Sequence, residues 1–119
     1  MACSKGSVTT GASQPTINTC VSTDANNVYV TLEGLKTETW PFQGYVKFAL
    51  KRTPSDKEIW IDVSTQNGGY WENSSTGKKN FTFRNIGYKG DVMMVYAYFY
   101  ANSNYTGLCK SDCSHMFVR

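Results

Sequence analysis

Apolar residues recur at every second position, in run after run, along this chain. Val28, Val30 and Leu32 alternate with Tyr29 and Thr31. Val46, Phe48 and Leu50 alternate with Tyr45, Lys47 and Ala49. Ile59, Ile61 and Val63 alternate with Trp60 and Asp62, and Phe81 and Phe83 with Thr82 and Arg84. Successive side chains of an extended strand point to opposite faces, so each run predicts a strand with one face on a core and one in water.

The run Val92 to Ala101 is apolar on both sides. Met93, Val95, Ala97 and Phe99 form one face; Val92, Met94, Tyr96, Tyr98 and Tyr100 form the other. Such a strand belongs in the middle of its sheet. Thr16 to Val21 predicts a first strand and Met116-Phe117-Val118 a last one. Clusters such as Asp24-Ala25-Asn26-Asn27, Asn67-Gly68-Gly69 and Tyr88-Lys89-Gly90-Asp91 punctuate the runs as turns. No window carries helical periodicity with caps. Roughly seven short strands separated by turns predict an all-β, antiparallel β-sandwich. In its general pattern this resembles immunoglobulin- and fibronectin-type sandwiches. A small β-barrel is the alternative.

The 4 cysteines lie at the two ends, Cys3 and Cys20 near the start and Cys109 and Cys113 near the finish. Local pairing closes the shorter loops and is preferred here. Pairing across the ends would remove more unfolded-state entropy. Residues 1–20, rich in Ser, Thr and Gly, read as a disulfide-tethered segment, and 21–119 as the sandwich domain. Disulfides persist in oxidising compartments, which predicts an extracellular protein, with a leader removed ahead of Met1-Ala2. At 119 residues and 40% hydrophobic content, one domain with its own core is expected. The longest apolar run is about half the roughly 20 residues that a membrane helix needs.

The aromatic residues are the strongest functional lead. Trp60, Tyr96, Tyr98 and Tyr100, with Tyr45, fall on the side opposite the aliphatic positions. If their strands share a sheet, they form an outward stripe on which a flat sugar face stacks. Gly68-Gly69-Tyr70-Trp71 reads as a flexible loop presenting Tyr70 and Trp71 to the same ligand. The competing reading buries the tyrosine row. Trp40-Pro41-Phe42 reads as an exposed apolar tip or, more simply, as a plug over the core.

Other chemistry is thinly supported. His115 is the only histidine. Cys109, Cys113 and His115 with Cys20 do not match common zinc spacings. Asp56, Glu58 and Asp62 lack the framework of a glycosidase pair or a calcium loop. Lys78, Lys79, Phe81, Phe83, Arg84 and Lys89 mix bases with aromatics, but the phenylalanines are better spent on a core than on nucleic acid. Asn73, Asn80 and Asn104 open glycosylation sequons.

The expectation is therefore a secreted, non-catalytic binding module. It needs no cofactor or metal and recognises a cell-surface polysaccharide or glycan. The alternatives are a protein-recognition or matrix protein (inhibitor, adhesin or toxin partner) and a membrane-active toxin or antimicrobial protein. The last is motivated by the net charge of +3.

Overall fold

The computed structural model describes residues 2–9, 14–34, 42–54, 59–72 and 77–119. Trp40, Pro41, Asp56, Glu58 and Asn73 lie outside the described residues. Nine strands are present among the described residues: β1 (Ala2–Ser7), β2 (Thr16–Thr23), β3 (Val28–Gly34), β4 (Gln43–Thr53), β5 (Ile61–Glu72), β6 (Lys78–Phe83), β7 (Val92–Tyr100), β8 (Leu108–Cys109) and β9 (Ser114–Val118). They form two antiparallel sheets, a four-stranded one ordered β1-β2-β3-β6 and a five-stranded one ordered β5-β4-β7-β8, with β9 also paired to β7. The chain is a β-sandwich, as the alternation predicts. The connections β3→β4, β5→β6 and β6→β7 each change sheet, so the sheets are interwoven.

The core lies where the inward rows meet. Val28, Val30, Leu32 and Phe83 from one sheet face Val46, Phe48, Leu50, Met93, Val95 and Phe99 from the other, all essentially inaccessible to water. Burying each of these large side chains contributes roughly 1.5–3 kcal/mol. The plug reading of the loop before β4 holds for Phe42, which is 1% exposed and meets Phe99 edge-on at 5.0 Å.

Two stretches depart from expectation. Residues 2–7 form an edge strand, in register Cys3↔Cys20 with β2, and β2 runs across position 20. β1 then fastens the sheets together along one side. Val8 bridges Ser111, and the Thr9 N–H donates to the Lys110 carbonyl at 2.8 Å. Ile59 and Ile61, expected in the core, are 65% and 39% exposed. The reason is position: Ile59 precedes β5, and Ile61 opens that edge strand ahead of a register shift opposite Leu50/Lys51 that breaks its alternation. Its Val63 still packs against the core.

The cysteines divide. Cys3 and Cys20 form a disulfide with Cα atoms 4.0 Å apart. The expected Cys109–Cys113 bridge is absent, and both are free thiols. Cys109 aligns with Phe99 of β7, and the Cys113 carbonyl accepts from Ala97 N–H. Between them the chain leaves β7 to pair with Ser7–Thr9. This detour turns the Cys113 thiol into the core, 3.7 Å from the Ser7 carbonyl, while the Cys109 thiol lies 3.9 Å from the Gly107 carbonyl.

Candidate functional site

The outer face of the five-stranded sheet follows from register. Tyr45, Lys47, Ala49 and Lys51 of β4 lie opposite Tyr100, Tyr98, Tyr96 and Met94 of β7. Inward partners alternate with them, so all of these point away from the core. On the far side of β7, Ser114, Met116 and Val118 of β9 pair with Tyr96, Met94 and Val92. The tyrosine row is thus an outward row, its rings half-buried against one another and against neighbouring lysine stems.

Tyr96 and Tyr98 stack nearly parallel, with ring centres 6.1 Å apart and 16° between planes. They border an open cleft of about 310 Å³ that is completed by Ala97, Ser111, Asp112, Cys113 and Ser114. The cleft arises from the same detour that separates the two thiols. β8 covers one end of β7 and β9 the other, and the segment between them swings towards β1. One Asp112 carboxylate oxygen accepts from the Ser7 N–H. The other has no hydrogen-bond partner among the described residues. Tyrosine rings below and hydroxyl and carboxylate groups beside them suit a ligand with an apolar face and a polar edge.

A second cluster closes one end of the row. Tyr45 meets Tyr70 edge-on at 5.5 Å and Tyr105 at 5.9 Å, and Tyr105 meets Tyr100 at 5.8 Å. The 101–107 turn holds Tyr105 at φ 57°, and its hydroxyl accepts from Gly69 N–H at 3.0 Å. Lys47 Nζ stands over both Tyr100 and Tyr105, 5.5 and 5.4 Å from the ring centres. Lys51 Nζ stands 5.3 Å from the Tyr96 ring and 3.6 Å from Asp62.

Of the six residues expected to bind, Tyr70, Tyr96, Tyr98 and Tyr100 share this face, Trp71 is turned into the core, and Trp60 makes no ring contact with the tyrosines among the described residues. Trp71 is 4% exposed and packs on Phe42 and Phe99. Gly68-Gly69 is not a loop but a bulge inside β5, with Gly69 at φ 87° and no space for a Cβ at Gly68 against the Phe48 ring. The bulge turns Tyr70 outward and Trp71 inward. Trp60 is half-buried just before β5, whose first residue pairs with Arg52. That is about 10 Å along β4 beyond Ala49, the residue opposite Tyr96. Tyr105, Lys47, Asp112 and Ser114 were missed; Tyr105 sits in a turn and Asp112 in the irregular segment between β8 and β9, where no periodicity announces their direction.

Other titratable groups have local roles. The Ser4 hydroxyl hydrogen-bonds His115 Nδ1 at 2.7 Å, joining β1 to β9, and burial holds His115 below its ordinary pKa. Among the described residues no carboxylate hydrogen-bonds that ring, and Cys20, once a zinc candidate, is committed to its disulfide. Burial, with Asp112 beside it, pushes the Cys113 thiol up to about 12, so it stays protonated and unreactive at neutral pH. Among the described residues no helix is long and apolar enough to cross a membrane. No family model, curated protein or solved structure matches this chain.

Proposed function

We propose that this protein is a non-catalytic binding module for polysaccharide at a cell or matrix surface. The sugar lies on Tyr96 and Tyr98, with its hydroxyl edge towards Ser111, Asp112 and Ser114. The observation that carries this reading is the pair of stacked tyrosines bordering an open cleft with a polar rim. Asp112 is the one carboxylate lining that cleft among the described residues, which favours binding over a two-carboxylate hydrolysis. The Cys3–Cys20 disulfide supports work in an oxidising compartment.

The test is depletion from solution on insoluble cellulose, chitin and bacterial cell wall, read by tryptophan fluorescence. Wild-type protein is retained on one matrix and released by its soluble oligosaccharide. Tyr98→Ala, folded as judged by its melting temperature, loses roughly fivefold or more in affinity through the missing ring contact. Retention of Tyr98→Ala equal to wild type would remove the tyrosines from the site.

A second reading, recognition of an extracellular protein, is favoured by one observation. Met116 and Val118, 54% and 67% exposed, extend the tyrosine row as an apolar patch. A partner captured by the protein and not displaced by sugars would favour it.

A further inference from the structure

We propose that the polysaccharide is an acidic one, carrying carboxylate or sulfate groups, and that Lys47 selects it. This rests on the glycan reading above and adds the ligand's charge to it.

The argument begins with register. Lys47 lies directly opposite Tyr98, one strand across the sheet. The cleft with Ser111, Asp112 and Ser114 lies on the other flank of β7. A pyranose stacked on Tyr98 therefore has two unlike edges, one facing hydroxyls and a carboxylate, the other facing an ammonium. The separation is about two strand spacings, near 10 Å, so the two flanks act on different substituents and Asp112 does not cancel Lys47 at one point.

Lys47 is also held for this task. Its ammonium stands over both Tyr100 and Tyr105, which restrict the flexible stem and keep the charge on the outer face. It forms no ion pair among the described residues. The other outward lysine of β4 differs: Lys51 is 3.6 Å from Asp62. A ring quadrupole steadies a cation without neutralising it, so Lys47 keeps its capacity to attract an anion. A single charge-assisted hydrogen bond of this kind changes affinity by roughly tenfold or more.

The opposite sheet supplies a control. Lys5 lies on β1, is exposed, and faces outward beside Asn18 on the other side of the sandwich. Lys5→Gln removes the same unit of net charge as Lys47→Gln, without touching the tyrosine face.

The experiment measures affinity for polymer pairs of one sugar backbone that differ only in charge: polygalacturonate against its methyl ester, and dextran sulfate against dextran. Wild-type protein and the Lys5→Gln variant prefer the acidic member at least about tenfold at low salt, and less at high salt. Lys47→Gln brings the preference to within about twofold, and Lys47→Arg retains it. Equal binding of acidic and neutral members overturns the acidic assignment and leaves the glycan reading standing. A preference lowered equally by Lys5→Gln and Lys47→Gln assigns it to net charge and overturns the role of Lys47. No binding to any of these polymers or to the insoluble matrices overturns both readings.

Discussion

The two sheets present the same alternation to the core and opposite chemistry to water. Outside the four-stranded sheet lie Lys5, Asn18, Ser22, Thr31, Glu33, Lys78, Asn80, the Cys3–Cys20 bridge and a single tyrosine, Tyr29, whose hydroxyl donates to Asp24; Lys78 pairs with Glu33 at 2.9 Å and Thr31 hydrogen-bonds Asn80. That face satisfies itself with short polar side chains and cross-strand pairs, as a sheet that only has to stay soluble does. Outside the five-stranded sheet lie five tyrosines (Tyr45, Tyr70, Tyr96, Tyr98 and Tyr100) with Met94 and Met116. The inward row of each strand supplies the core, and the outward rings pack on one another across strands. That aromatic face is the one proposed above to take the ligand.

The sharpest way to break this comparison is to exchange an inner ring for an outer one. Trp71→Ala empties a buried site between Phe42 and Phe99 and costs about 3–5 kcal/mol, measured by urea unfolding. Tyr98→Ala costs far less stability while losing ligand. If the two variants behaved alike, the inner and outer rows would have to be reassigned.

Next in size is the disulfide, which tests whether the polar face serves stability alone. Closing a loop of sequence separation 17, it contributes about 3 kcal/mol. Cys3→Ser is expected to lower the unfolding midpoint and, while folded, to retain polysaccharide like wild type.

A smaller gain is expected on the inner side of the same sheet. Thr19 is fully buried, and its hydroxyl has no hydrogen-bond partner among the described residues. Thr19→Val removes that cost and stabilises by about 1 kcal/mol; an unchanged midpoint would mean that the hydroxyl is satisfied in solution.

The smallest effect concerns the seam between the sheets. His115 has its pKa lowered by burial, so the unfolded chain takes up the proton more readily than the folded one. The stability it contributes is complete above the ordinary histidine value of 6.5 and declines as the pH falls through the folded pKa. His115→Gln flattens that part of the pH–stability curve, and Tyr98→Ala leaves it unchanged.

Much of this was legible in the residues. The period of two located β3, β4, β6, β7 and the start of β5, but it missed β1 and read the middle of β5 as a turn. Alternation put Tyr96, Tyr98 and Tyr100 on one side of their strand, but only pairing with β4 showed that this side faces outward. Trp71 was misread because Gly68-Gly69 marks a turn and a bulge equally well, and only pairing with β4 tells them apart. Cys109 and Cys113 were misread because closeness in sequence says nothing of the detour between them.

The chain by itself determined a two-faced, all-β architecture, because alternation is a local property of each strand. It also determined that three tyrosines would share one side of β7. Tertiary structure alone decided that β8 and β9 would part beside Tyr96 and Tyr98, that Lys47 would stand over Tyr100 and Tyr105, and that Ser4 would reach His115. Each of these joins residues whose meeting depends on how strands are ordered and where an edge breaks. No local pattern encodes that, and so the cleft is a product of packing although its rings are a product of sequence.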